Sequence, residues 1–418
     1  MSTHSYFTLI NVGDSLNKRL KGLNGPFSRL FAYFQDKSYN LTMKNIGLFF
    51  GGKSVEHDVS IVSAQIISKG FQKLPQFKLI PIYITNQGEW VVFDKFPKIQ
   101  ELKKKKNSAS NVRLILNPRL EKLTLKKKSL LGKKIEINSA LILIHGTNGE
   151  DGTLQGFMET ANIPYSGPAV LGSALGMDKV ITKDVCQSNH IPIVNYFWFY
   201  REKWEENKNK IKEDIKSRLS FPLFVKPANL GSSIGISKAT DDQSLEEAIE
   251  VAIRYSRKIL VEEGVEDAQE INCAVLGFKK PIASLLEEPV HYSKFLTFEE
   301  KYIGDATKGG GTMKGAKSKV KIPAPVSNDL KEKISQLAIK TFKILECSGP
   351  TRVDFLVSPS GEVFVNEINT IPGSLQQHLW KASDLPLPEL IEKTIATSEE
   401  VFIEKKKNLT TFESTLLK

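Results

Sequence analysis

Histidine and cysteine are scarce in this chain, six and three among 418 residues, and the scarcity removes several classes of protein at once. Cys186, Cys273 and Cys347 are odd in number and widely spaced, which argues against a disulfide framework and for a reducing, cytoplasmic compartment. None has a neighbouring His to make it a nucleophile, so they read as small buried hydrophobes. The histidines show no metal-ligand spacing, and no zinc or RNA-binding signature occurs. No apolar run approaches the length of a membrane span, so no membrane partner is expected. The Gly/Ser-rich loop Pro227 to Gly235 lacks the phosphate-binding pattern GxxxxGK[ST], and a strand rather than a helix follows it. Residues 1–43 are poor in acids and hold no long apolar stretch, which excludes a secretory signal. They read as an N-terminal extension, a candidate for disorder, with Met43 able to serve as the start.

Acidic residues are also in deficit: 47 Asp and Glu stand against 58 Lys and Arg, a formal net charge of +11. The surplus lysines sit in runs, Lys103 to Lys106, Lys126 to Lys128, Lys133-Lys134 and Lys405 to Lys407. Without interleaved aromatics these describe solvated faces, and no nucleic-acid partner is expected. A basic surface also suits an anionic substrate such as ATP. A hydrophobic fraction of 40% is ordinary for globular proteins, and the length accommodates two to three domains.

The chain reads as α/β plus α+β. In block 44–166 the strand NIGLFFGG, a helix near Val59 to Gly70, the strand KLIPIYIT, a lysine-rich stretch over 94–138 and the strand ALILIHG precede a helix near Gly152. Alternating strands and helices imply a parallel sheet with ligands at the strand carboxyl ends. Block 167–261 carries helices near Lys179 to Asn189 and Trp204 to Leu219, then FPLFVKP and GISK. Block 262–404 carries ILVEEGV, EINCAVLG and KPIASLLEE as strands, a helix from Ser327 to Leu345 and a hairpin, and 405–418 is a tail.

That hairpin, TRVDFLVSPSGEVFVNEIN, concentrates chemistry. Two β-branched and aromatic runs flank the turn signal Pro359-Ser360-Gly361. A two- or four-residue loop pairs even-numbered positions with odd-numbered ones, so Arg352, Asp354, Glu367 and Asn369 converge on one face. One cation, two carboxylates and a carboxamide outline a magnesium and phosphate site, because magnesium takes few carboxylates and completes its shell with water and phosphates.

Five segments add to it. Lys226 ends an apolar strand before Pro227 to Gly235, whose Gly/Ser content exposes N–H groups and hydroxyls to phosphate. Glu262-Glu263-Gly264-Val265, with Glu270 beyond, can offer backbone groups to an adenine edge and a carboxylate to a ribose. Gly304 to Gly315 has the composition of a mobile lid. Gly51 to Ser60 and His145 to Gly152 each follow a strand and open a helix, which suggests one substrate cleft.

In this order GGKSVEHDVS, HGTNGEDGTLQG, GMDK, FVKPANLGSSIGISK, EEKY, RVDF and NEINTIPG resemble the motifs of D-alanine:D-alanine ligases, members of the ATP-grasp superfamily, over Asn45 to about Glu392. The resemblance implies a three-domain architecture, an N-terminal parallel-sheet domain and two α+β domains enclosing ATP. It implies Lys179 and Lys226 at the ATP phosphates, Ser232 and Ser233 in the loop over them, and Glu262, Glu263, Val265, Glu270 and Lys301 around the nucleotide. Asp354, Glu367 and Asn369 correspond to ligands of two magnesium ions, which manganese can replace. Glu56 matches the residue holding the first D-alanine's ammonium, linked through Ser232 to Tyr302; His145 lies beside that substrate's carboxylate. Arg352 matches the arginine that stabilises the oxyanion. Gly373 and Ser374 fall at the second substrate, where the segment before Leu379-Trp380 is shorter than the family's by about four residues. The implied activity is ATP-dependent synthesis of D-alanyl-D-alanine for peptidoglycan, and a homodimer is compatible with it. Two alternatives stand beside this: a ligase joining a D-amino acid to another amine or hydroxy acid, and a noncatalytic basic binding protein on the same scaffold.

Overall fold

The computed structural model describes residues 43–104, 110–128, 132–290, 319–411, 414 and 416. The extension over 1–42, the lid over 304–315, Lys301 and Tyr302 lie outside them.

Three sheets organise the described residues. The first has the order β6-β5-β4-β3-β2-β1-β7, from β1 (Lys44–Gly51), β2 (Phe77–Ile84), β3 (Trp90–Val92), β4 (Ser110–Ile115), β5 (Leu123–Lys127), β6 (Lys134–Ile137) and β7 (Ser139–Ile142). Strand β1 is buried on both faces: Ile46, Leu48 and Phe50 pack into one apolar cluster and Phe49 into another, which is why NIGLFF reads as an unbroken apolar run. The parallel arrangement expected for this block holds for β2-β1-β7. Beyond β2 the pairing becomes antiparallel through β6, and the lysine-rich stretch supplies three of those strands. The physical reason is the connection: only a short turn, closed by Thr85 N–H donating to Glu89 O at 2.9 Å, joins β2 to β3, and a parallel crossover needs a dozen residues or more.

The second sheet, β10-β9-β11-β8, is antiparallel and built from β8 (Tyr196–Tyr200), β9 (Leu223–Pro227), β10 (Ser237–Ala239) and β11 (Lys258–Glu263). Phe199, Val225 and Val261 on one face pack with Trp204, Ile215 and Leu245 of its helices. The helix expected from Trp204 to Leu219 is two, Arg201–Glu206 and Lys208–Lys216. Asn207 breaks it, because its extended backbone lets the side chain accept from Lys210 N–H at 3.0 Å and cap the second piece.

The third sheet, β14-β13-β12-β15-β16, is also antiparallel: β12 (Gln269–Gly277), β13 (Ile282–Val290), β14 (Lys319–Lys321), β15 (Gly349–Val357) and β16 (Val363–Asn369). Val353 and Phe355 point into a core shared with Phe342 of the helix Asn328–Ile344. The three cysteines are free and buried, as expected. Burial pushes the thiols up, Cys186 to about 11 and Cys273 to about 12, which keeps them unreactive. C-terminal side chains Trp380, Leu390 and Ile391 return to the first sheet and pack with Phe50 and Ile67. Among the described residues no helix is long and apolar enough to cross a membrane.

Candidate active site

The hairpin β15–β16 brings its polar residues together by a route the turn alone would not give. Arg352 opposes Asn369 and Asp354 opposes Glu367, so the expected face is formed. The turn, however, closes on three residues, Pro359 to Gly361, between the paired Ser358 and Glu362, with Gly361 at φ 85°. An odd loop reverses the parity, and a bulge at Asn366 restores it: Phe355 pairs with Val365, then Asp354 with Glu367.

On this face Arg352 grips Asp354 with two bonds, Nε to Oδ1 at 2.5 Å and an Nη to Oδ2 at 2.7 Å. Burial opposes the guanidinium charge, but Asp354, Glu287 and Glu367 around it raise its pKa above the usual arginine range. Asn369 Nδ2 donates to Asp354 Oδ2 at 3.1 Å. Two carboxylates and a carboxamide thus share one patch. Among the described residues no group of three or more His, Cys, Asp or Glu is arranged to hold a metal. Asp354, Glu367 and Asn369 instead give the sparse oxygen set magnesium accepts when phosphates and water complete its shell, so the residues fit that ion.

Two lysines reach this patch from the second sheet and its flanking helix. Asp178 caps the helix Lys179–Ser188, accepting from Val180 and Ile181 N–H, and is itself held by Lys258 Nζ at 2.6 Å. The cap fixes Lys179 at the first turn, where Nζ meets Glu367 Oε2 at 2.9 Å and Leu230 O at 3.0 Å. Burial lowers the Lys179 pKa, but Glu367, Glu262 and Glu56 together outweigh it and raise the pKa above the usual lysine value, so it stays charged. Lys226, near the end of β9, binds Asn366 Oδ1 at 3.3 Å and Glu262. Glu262 is clasped on its other side by Lys183 at 2.6 Å. Burial would raise the Glu262 carboxyl, yet the two lysines hold it at about 2. With two cations to one carboxylate, burial wins at Lys183 and lowers its pKa.

Glu263 lies on the opposite face of β11. Its carboxylate accepts from Ser220 N–H and Asn195 Nδ2, both at 2.8 Å, and its N–H donates to Asn195 O at 3.0 Å, so its side chain is turned away from the site. Val265 is half-buried just beyond this strand. Glu270 and Asn272 share the site face of β12 with Asp354.

Glu56 meets the second sheet's loop. It is buried, and Ser232 Oγ donates to Oε1, which realises the first link of the expected Glu56–Ser232–Tyr302 chain. Ser232 and Ser233 both have left-handed backbone, φ 56° and 59°. Glu56 Oε2 is buried with no hydrogen-bond partner among the described residues, a free acceptor for a cation. Gly146 stands at φ 70°, and a Cβ there would lie 2.6 Å from Oε2, so only glycine permits the approach.

His145 is buried and neutral, its pKa lowered chiefly by burial. Nδ1 donates to Ile371 O at 2.8 Å, which leaves Nε2 to accept from Ser63 Oγ at 2.9 Å. Ser63 in turn accepts from Ser374 N–H at 3.0 Å, tying the segment after Gly373 to the same network. Glu150 was not anticipated. Its oxygens accept from Gly146 N–H at 2.8 Å and Ile371 N–H at 3.0 Å, and burial together with Glu56 pushes its carboxyl up to about 8. It clamps the His145 loop to the segment after the hairpin. Lys183 was also missed; its only sequence signal is a lysine one helical turn after Lys179 on the same face.

Two antiparallel sheets, with Lys179 and Lys226 on the side of the second set against Glu367 and Asn366 of the third, mark the class as ATP-grasp ligases. The chain belongs to the D-alanine–D-alanine ligase family: residues 45–168 match the model described as D-ala D-ala ligase N-terminus, and 185–396 the one described as D-ala D-ala ligase C-terminus. It is 39% identical to a D-alanine–D-alanine ligase of Thermosipho melanesiensis over 87% of this chain and 96% of that one. A homologous ligase of Acetivibrio thermocellus is 40% identical over 84% and 95%. The solved D-alanine-D-alanine ligase from Coxiella burnetii superposes with a TM-score of 0.73 at 30% identity, covering 87% and 96%. The VanG D-Ala:D-Ser ligase from Enterococcus faecalis does so at 0.71 and 30%, covering 85% and 99%.

Proposed function

We propose that this protein joins two D-alanines to D-alanyl-D-alanine at the expense of ATP, through an acylphosphate, to supply a peptidoglycan precursor. The observation that carries the proposal is the reach of Lys179 and Lys226 onto β16, at Glu367 and Asn366, beside a buried Glu56 with one open oxygen. We take the blocks 44–166, 167–261 and 262–404 as the three domains, each centred on one sheet.

Glu56 receives the first D-alanine's ammonium, and neutral His145 stands at its carboxylate. That carboxylate attacks the γ-phosphate, ADP leaves, and an acylphosphate forms. Lys179 and Lys226 offset the repulsion between oxygens of like charge as they approach. Two magnesium ions, or manganese in their place, held by Asp354, Glu367 and Asn369, would supply further neutralisation of the phosphates. The second D-alanine's amine then attacks the carbonyl; Arg352 stabilises the developing oxyanion and phosphate departs. Ser233, Glu262, Glu270, Val265 and the Glu263 backbone surround the nucleotide, Lys301 serves the same nucleotide, and Tyr302 continues the link from Glu56 through Ser232.

A second reading keeps the ATP chemistry and changes the acceptor, since the segment after Gly373 departs from the family pattern. ADP release with D-alanine as the only amino acid, against D-alanine with D-serine or D-lactate, separates the two. Turnover with D-alanine alone is expected; its absence, with turnover restored by another acceptor, selects the second reading.

A further inference from the structure

The shortened segment after the hairpin is strained and ends on a carboxylate–imidazole pair. Ser374, Leu375 and Gln376 are three consecutive non-glycine residues with left-handed backbone, φ 49°, 54° and 53°. L-residues adopt that run only where surroundings impose it. Here burial of Leu375 and Gln376, and the bonds from Ser374 N–H to Ser63 and Leu375 N–H to Pro372 O at 2.9 Å, impose it. The next residues form the short helix Gln377–Ala382, and His378 Nε2 lies 2.6 Å from Glu287 Oε2.

Glu287 is buried on β13, with its other oxygen accepting from Asn272 Nδ2 at 3.0 Å. Register makes Asn272 the partner of both Glu287 and Asp354, and Asp354 the partner of Glu367. Glu287, Asn272, Asp354 and Glu367 therefore form one row across four strands, on the face that carries the phosphate chemistry. Burial alone would raise the Glu287 carboxyl; His378, Asn272 and Arg352 outweigh it and hold the group below its usual range. A buried carboxylate is costly to keep unless something uses it. Its partner ring is 42% exposed at the side chain, and Nδ1 has no partner among the described residues.

An attacking amino acid brings an α-carboxylate that must find N–H donors. Arg352 is held by Asp354 through two bonds and its remaining N–H groups are assigned to the oxyanion, and from Gly373 to Trp380 the chain contains no Lys or Arg. His378 is the one group in that segment able to carry positive charge, with Glu287 behind it to balance an imidazolium. We propose that His378, held by Glu287, receives the α-carboxylate of the second amino acid and so selects α-amino acids over carboxylate-free amines as acceptors. The proposal rests on the ligase reading.

Acceptor exchange tests it. Acylphosphate made from ATP and D-alanine is trapped either by excess hydroxylamine, which needs no carboxylate site, or by D-alanine itself. If the wild-type chain forms neither hydroxamate nor dipeptide, the ligase reading fails and not this one. Given wild-type turnover, His378→Ala should leave hydroxamate formation within about twofold and raise KM for D-alanine as acceptor about tenfold to a hundredfold, the worth of a charge-assisted contact. His378→Gln, which keeps a donor, should recover part of that loss, and Glu287→Gln should follow His378→Ala in the same acceptor KM. Equal loss with both acceptors, or an unchanged acceptor KM in His378→Ala, overturns the assignment.

Discussion

Replacing Glu56 by Gln drives activity and folding stability in opposite directions. The carboxylate is 6% exposed; Ser232 bonds one oxygen, and the other has no partner among the described residues. Glycines wall it in, since a Cβ on Gly146 or Gly231 would lie 2.6 or 3.2 Å from Oε2. A glutamine fits the same space, keeps an acceptor for Ser232 and removes a buried charge. An ion held away from water carries a penalty of several kcal/mol, whereas an under-bonded carboxamide costs about 1–3 kcal/mol. The free variant should therefore be at least as stable as wild type, by roughly 1 kcal/mol. With substrate present the sign reverses: the ammonium loses its counter-charge, and breaking a buried pair costs about 3–5 kcal/mol. That is a fall of about two to three and a half orders of magnitude in kcat/KM for D-alanine at the first site. ADP release with D-alanine varied at saturating ATP reads the activity, and urea unfolding at one pH reads the stability. Activity within about fivefold of wild type, or an unfolding midpoint that drops along with activity, refutes the reasoning.

Gly146→Ala forces a Cβ to within 2.6 Å of Glu56 Oε2 and 2.8 Å of Ser54 Oγ at φ 70°. A loss of about 1–3 kcal/mol in urea unfolding is expected, and a neutral result contradicts the close approach. Lys226→Met should raise KM for ATP about tenfold or more while leaving the D-alanine KM nearly unchanged; a change confined to D-alanine would move Lys226 out of the nucleotide site. Glu367→Gln should raise the magnesium concentration needed for half-maximal activity by about tenfold or more, and an unaltered magnesium titration removes it from the ligand set. Glu262 is held at about 2 against an ordinary 4.5, a folded pKa below the unfolded one. Its contribution, on the order of 3 kcal/mol, is present above about pH 4.5 and is lost as pH falls toward 2. Unfolding measured from pH 6 to pH 3 should show an acid loss that Glu262→Gln lacks.

Periodicity made each strand's polar side legible, because Arg352 and Asp354 alternate with Val353 and Phe355, whereas their convergence with Glu367 and Asn369 depends on the loop and the bulge together. The bulge at Asn366 was not legible: its only trace is that a three-residue turn and a matched face cannot coexist without an inserted residue. The family motifs pointed to Lys179, Lys226, Glu56 and His145, and in the structure the two lysines reach Glu367 and Asn366 of β16 while Glu56 meets Ser232 and His145 meets Ser63. Glu150, Lys183 and the Glu287–His378 pair escaped because each gains its role from partners more than fifty residues away, Ile371 for Glu150, Glu262 for Lys183 and β13 for His378. The antiparallel strands over 110–137 escaped for a different reason. Lysine runs mask the alternation there, although Leu123, Leu125, Ile135 and Ile137 keep a period of two.

The most direct test of the ligase assignment is product analysis after the purified chain is incubated with ATP, magnesium and D-alanine alone. Mass spectrometry should show D-alanyl-D-alanine, with one ADP and one phosphate released per dipeptide. ADP and phosphate without dipeptide, or no ADP at all, would contradict it.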